Sequence, residues 1–254
     1  MNKVFVFDLD GTLTEPRSKM TFDFKKLFSL AIDREDSICI ATGSDIDYVK
    51  EQCEPLLDLS LTYYCCNGSK IYRKDENGNI VLISESKMSD VVSQKSINKL
   101  KDMIKNRQSL FKKEYSNISA EVIQDRVSMI NWCPIGRKAD DKFRSYFIAF
   151  DKKELFRDKT VKYFKQMFLF DRELKKFDIR KGGQTSFDIY PIGMDKSQIF
   201  KDLDKNNIWF WGDKCTQDGN DWPIYSQIHD DRRFNVKNPE DTYKSFEKIL
   251  EKYS

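Results

Sequence analysis

Two aspartates, Asp8 and Asp10, stand one residue apart directly after the apolar run Val4-Phe5-Val6-Phe7, and the chain continues Gly11-Thr12-Leu13-Thr14. A short apolar run closed by acidic and small residues predicts a buried strand whose end delivers both carboxylates to one place. Carboxylates that close repel, so the pair is stable mainly with a cation between them. Magnesium suits it, being a hard ion that takes oxygen ligands and keeps open positions for phosphate oxygens. The expected chemistry is attack by Asp8 on phosphorus to form an aspartyl phosphate. Asp10 is expected to protonate the leaving oxygen and later to deprotonate the incoming one. Gly11 lets the backbone turn tightly beside them.

The elements that must position such a pair recur along the chain. Ser37 to Ala41 runs into Thr42-Gly43-Ser44-Asp45, Leu61 to Cys66 into Asn67-Gly68, and Ile208 to Trp211 into Gly212-Asp213. Ahead of the Ser37 run, Phe24, Leu27, Phe28 and Ala31 are spaced as one face of a helix over Phe22 to Ala31. Strand, helix, strand with functional residue types at the strand ends is the pattern of an open α/β sheet, which binds ligands at its carboxyl edge. From about Met88 to Asp188 the pattern changes to two long polar helical stretches and alternating runs, Ile118 to Trp132 and Thr185 to Tyr190, that read as antiparallel strands. The α/β pattern resumes at Asp195-Lys196 and closes with an amphipathic helix from Pro239 to Tyr253. The expected fold class is therefore α/β: an open Rossmann-like parallel-sheet core over 1–86 and 190–254, with an inserted α+β cap domain over 87–189.

Bulk properties narrow the classes. Lys and Arg number 44 against 41 Asp and Glu, and the signs are interspersed, so the net charge of +3 gives no warrant for a nucleic-acid partner. No run approaches the roughly 20 apolar residues needed to cross a bilayer, and the apolar start is too short for an export signal. Six cysteines at irregular positions, two of them the adjacent Cys65-Cys66, read as small buried hydrophobes in a reducing cytoplasm. His229 is the only histidine, which excludes histidine triads and multi-histidine metal sites. Trp209 and Trp211, flanking Phe210, read as core.

The string from Asp8 to Thr14 resembles the signature of the haloacid dehalogenase superfamily of phosphotransferases. The resemblance implies further pieces, which follow in order. Thr42 and Ser44, around Gly43, correspond to the strand end whose hydroxyl holds the phosphate. Lys196, in Asp195-Lys196-Ser197, corresponds to the lysine that neutralises nucleophile and phosphate. Gly212-Asp213, with Asn220-Asp221 after it, corresponds to the acidic loop that completes the magnesium site, so the implied ligands are Asp8, Asp10 and Asp213. Within the superfamily the chain is similar to the eukaryotic-type phosphomannomutase family over nearly its whole length. The matching motifs are Asp10 to Arg17, Pro134-Ile135-Gly136-Arg137, Ser186-Phe187-Asp188, Gly193-Met194-Asp195-Lys196, Gly212-Asp213-Lys214 and Asn238 to Thr242.

Arg126, Arg137 and Arg144 fall around one strand-to-helix region, and guanidinium groups suit bidentate contacts to phosphate oxygens. That supports a phosphosugar with a second anionic group. The resemblance implies that these three and Arg17 are the sugar-phosphate contacts, and that Ser186 and Asp188 hold sugar hydroxyls. Strand alternation puts Ser186 and Asp188 on one face and Phe187 on the other. The resemblance also implies interconversion of mannose 6-phosphate and mannose 1-phosphate, a hexose 1,6-bisphosphate activator, and a homodimer through the cap. A second reading stays open at this point. Thr42 and Cys65-Cys66-Asn67-Gly68 look more like the sugar-phosphate phosphatases of the superfamily, in which water takes the phosphate from the aspartate. A third, a non-catalytic phosphosugar-binding protein, runs against the intact set Asp8, Asp10, Lys196 and Asp213. Gln227 stands where the family places an aspartate near a peripheral metal, so no second metal is expected there.

Overall fold

The computed structural model describes residues 2–16, 18–114 and 118–253, without the side chains of residues 113 and 114. The first strand, β1 (Val4–Phe7), is the apolar run before Asp8. A helix, α1 (Phe24–Asp33), buries the stripe Phe24, Leu27, Phe28 and Ala31, and Asp23 caps it by accepting from the Lys26 amide. It starts and ends two residues later than the spacing alone predicts. Then come β2 (Ser37–Ala41), α2 (Ile46–Gln52) with Asp45 as its N-cap, and β3 (Thr62–Cys65). A hairpin follows that was not among the expected strands, β4 (Lys70–Lys74) and β5 (Ile80–Glu85). Its turn is fastened by Asp75 Oδ1, which accepts from the amides of Asn77 and Asn79.

The middle of the chain builds α3 (Gln94–Glu114), β6 (Ile123–Asp125), β7 (Ile130–Trp132), α4 (Asp141–Glu154), α5 (Phe156–Phe170), β8 (Phe177–Lys181) and β9 (Phe187–Pro191). The second polar stretch is two helices because Leu155 sits in the left-handed region (φ 53) and ends α4. The chain then returns through β10 (Ile208–Gly212), the short α6 (Trp222–Tyr225), β11 (Arg233–Asn235) and α7 (Pro239–Lys252).

Among the described residues, seven strands form one sheet in the order β11-β10-β1-β2-β3-β4-β5. It is parallel from β11 to β3 and antiparallel across β4 and β5. A separate antiparallel sheet has the order β6-β7-β9-β8. The chain divides into two compact units, Met1–Glu85 with Asp195–Ser254, and Ser86–Met194. All of β9 pairs within the second sheet, so the return to the first unit falls at Asp195 and not at residue 190.

In the first unit β1 is buried on both faces, as a strand inside a parallel sheet must be. Phe5 and Phe7 pack on one side with Trp211, Phe28 and Phe246, while Val6 faces Phe210, Cys39 and Tyr64 on the other. Phe7 stacks on Trp211 at a centroid distance of 4.8 Å, and Trp211 on Phe234 at 4.5 Å. This aromatic block fixes the height at which β1 ends, and therefore where Asp8 stands. In the second unit Trp132, Phe187 and Ile189 turn one face of the sheet toward Leu100 and Ile104 of α3 and Phe164 of α5. The other face carries the cross-strand row Gln124, Asn131, Asp188, Arg180. The six cysteines are free and buried, and His229 is exposed beside Asp231. Among the described residues no helix is long and apolar enough to cross a membrane.

Candidate active site

The register of β1 with β2 and β10 puts three loops at one edge of the first sheet. Phe7 lies level with Ile40 and Trp211, so Asp8, Thr42 and Asp213 all leave strand ends at nearly the same height. Asp8 is held there by its amide, which donates to Trp211 O at 2.9 Å, and the residue is 5% exposed. Lys196, at the start of a short 3-10 helix capped by Asp195, is 1% exposed. Its Nζ donates to Asp8 Oδ1 at 2.5 Å and to Asp221 Oδ1 at 2.6 Å. The loop from β10 to α6 folds back so that Asp221 Oδ2 accepts from the Lys214 amide at 3.0 Å. Lys214 Nζ pairs with Asp213 Oδ2.

Asp8, Asp213 and Asp221 each offer one carboxylate oxygen, all within 4.8 Å of one another. The donor set fits magnesium: oxygen ligands only, concentrated negative charge, and Asp213 Oδ1 buried without a hydrogen-bond partner. Gly11, at φ 91, leaves the room this needs. A Cβ there would lie 2.5 Å from Asp213 Oδ2, so no other residue fits without moving the carboxylate. The sequence pointed to Asp8, Asp10 and Asp213 as ligands; the clustered carboxylates are Asp8, Asp213 and Asp221, and Asp10 Oδ1 accepts from Gln52 Nε2 at 3.0 Å.

The electrostatics follow from this crowding. Burial, then the neighbouring Asp221 and Asp213 carboxylates, push Asp8 up to about 8 against the lowering influence of Lys196. Burial and Asp221 likewise raise Asp213, with Lys214 opposing. Burial pulls Lys196 down, but Asp221 and Asp8 together hold it well above the usual lysine range. Asp8 and Asp213 are thus short of positive charge, and Lys196 stays an ammonium between Asp8 and Asp221.

Thr42 and Ser44 are both buried in the loop after β2. Thr42 Oγ1 accepts from the Ser44 amide at 3.0 Å, and the amides of Cys66 and Asn67 donate to the carbonyls of Ser44 and Thr42. The positive-φ turn Cys66-Asn67 is what lets the loop after β3 brace the loop after β2. Gln52, buried at the end of α2, reaches both Asp10 and Thr14.

The second unit gathers a different set. Arg126 follows β6, Arg137 follows β7, and one acceptor, Gln124 Oε1, lies 3.1 Å from Arg126 Nη2 and 3.1 Å from Arg137 Nη1. Arg144, in the first turn of α4, donates to Thr185 Oγ1 and Gln184 Oε1 at 3.4 and 3.3 Å. Asp188 is buried on the polar face of β9, opposite Phe187, and accepts from Asn131 Nδ2 at 2.8 Å. Ser186 lies just ahead of β9, half-buried. Arg17 lies outside the described residues. Gln52, Gln124 and Asn131 were not singled out by the sequence, and Asp221 was read only as a loop companion of Asp213. Only Asp221 carried a signal, its place in a second acidic cluster after Gly212-Asp213.

Compared with known proteins, residues 25–252 match the model of the eukaryotic phosphomannomutase family. A phosphomannomutase of Encephalitozoon cuniculi is 32% identical over 98% of this chain and 94% of its own. One from Drosophila melanogaster is 34% identical over 98% of this chain and 95% of its own. Among solved structures, an IMP-nucleotidase of Plasmodium falciparum is similar at a TM-score of 0.65, covering 98% of this chain and 67% of its own. At 14% identity that likeness shows a shared haloacid dehalogenase-type fold.

Proposed function

We propose that this chain, which belongs to the eukaryotic phosphomannomutase family, interconverts mannose 6-phosphate and mannose 1-phosphate through a phosphate carried on Asp8. The observation that carries the reading is the set of buried Asp8, Lys196 and Asp221 with half-buried Asp213 at the carboxyl edge of the first sheet. Magnesium bound by Asp8, Asp213 and Asp221 would supply positive charge to a phosphoryl group and to its attacking and leaving oxygens.

A carboxylate oxygen of Asp8 attacks phosphorus of a hexose 1,6-bisphosphate, and the bond from phosphorus to the sugar oxygen breaks. Asp10 gives its proton to that oxygen, which leaves as a hydroxyl. Lys196, fixed by Asp221, keeps a positive charge against Asp8 and against the transferred phosphate. Thr42 and Ser44 hold phosphate oxygens from the loop after β2. In the reverse sense Asp10 takes the proton of a sugar hydroxyl as that oxygen attacks the phosphate on Asp8. A bisphosphate that turns around between the two half-reactions exchanges the positions of its phosphates. Arg17, Arg126, Arg137 and Arg144 grip the phosphate that is not reacting, while Ser186 and Asp188 hold sugar hydroxyls. The second unit thus acts as the substrate-specificity cap, with a homodimer through it implied by the family. Six buried thiols suit a reducing cytoplasm.

Peptide mapping after incubation with a hexose bisphosphate labelled in its phosphates tests the assignment. Label on Asp8 is expected, and label on another residue, or none under turnover, contradicts it.

A further inference from the structure

We propose that Gln124 is a positioning residue that aims Arg126 and Arg137 together at one phosphate, an inference that rests on the phosphate-gripping role proposed for those arginines. The two guanidinium groups come from different segments and repel each other unless an acceptor sits between them. Gln124 Oε1 lies 3.1 Å from a terminal nitrogen of each. Its orientation is favoured from the other end, where Gln124 Nε2 faces Glu121 Oε2 at 3.5 Å. Turning the amide over would set an NH₂ group against two cations and an oxygen against a carboxylate. Gln124 itself is held in β6, in register with Asn131 of β7, so the backbone does not let it drift.

The choice of an amide has a chemical consequence. A carboxylate at this position would fasten the arginines more strongly, yet it would cancel one of their charges and compete with phosphate for the same donors. A neutral acceptor orients both groups without itself cancelling their charge.

Stability and affinity should therefore move in opposite senses. In the full chain with mannose 1-phosphate, Gln124→Glu should raise both Kd and KM about tenfold with kcat little changed, the size of one charged hydrogen bond. Its thermal midpoint should stay at or above that of the unaltered protein. Gln124→Leu should weaken binding to a similar extent, and Gln124→Glu decides the matter if the leucine variant does not fold. Arg137→Ala serves as the reference. If it binds mannose 1-phosphate as tightly as the unaltered chain, the phosphate-gripping role fails and the inference with it. If Arg137→Ala weakens binding while Gln124→Glu leaves Kd unchanged, or lowers kcat and the thermal midpoint together at constant KM, the role of Gln124 alone is overturned.

Discussion

Lys196 Nζ lies 2.5 Å from Asp8 Oδ1, joining two residues 188 apart in the chain. The pair is buried, and the same ammonium also holds Asp221. Removing one member of a buried ion pair leaves a bare charge, which costs about 3–5 kcal/mol. Lys196→Ala should therefore lower stability by about that much, measured by urea unfolding, and lower kcat by at least about a hundredfold. A variant that keeps both stability and turnover would separate Lys196 from the nucleophile.

Asp221 offers a carboxylate oxygen within 4.8 Å of those of Asp8 and Asp213. Chelation should stop turnover and added magnesium should restore it. Asp221→Asn should raise the magnesium concentration for half-maximal activity by about 10–100-fold, the effect expected for altering a ligand or its support. An unchanged magnesium requirement in that variant would remove Asp221 from the site.

Gln52 reaches Asp10 from the end of α2 with a 3.0 Å hydrogen bond. Proton transfer by a well-placed acid contributes about 10²–10⁴ in rate, so losing its orientation forfeits part of that. Gln52→Leu should lower kcat about tenfold at nearly constant KM, as an interaction that acts through the acid would. Steady-state kinetics with mannose 1-phosphate would show it, and a rise in KM at constant kcat would assign Gln52 to binding instead.

What could be read from the residues depended on how locally each feature is encoded. The strand before Asp8 and those before Thr42 and Asp213 are apolar runs closed by small or acidic residues, so strand, end and sheet edge all appear in a few letters. The hairpin of β4 and β5 was not expected: β4 is mostly charged, and β5, though it opens with the apolar run Ile80 to Ile83, is largely exposed. The division between α4 and α5 rests on one left-handed residue, Leu155, in a stretch of unbroken helical composition. Asp221 joins Asp8 only because the loop after β10 folds back onto the Lys214 amide, a contact that spacing does not reveal. Gln52, Gln124 and Asn131 act through hydrogen bonds made across strands and loops, and no motif marks a glutamine or an asparagine for such work. Arg126 and Arg137 stood out in the sequence, whereas the acceptor that these two share did not.

In the proposed reaction a sugar hydroxyl, and not water, takes the phosphate from Asp8. Following mannose 1-phosphate in the presence of magnesium and a hexose 1,6-bisphosphate, with mannose 6-phosphate and inorganic phosphate measured in the same reaction, tests it most directly. Mannose 6-phosphate should form far faster than inorganic phosphate, and both should vanish in Asp8→Asn. Release of inorganic phosphate without isomerisation would contradict the account and make the protein a sugar-phosphate phosphatase.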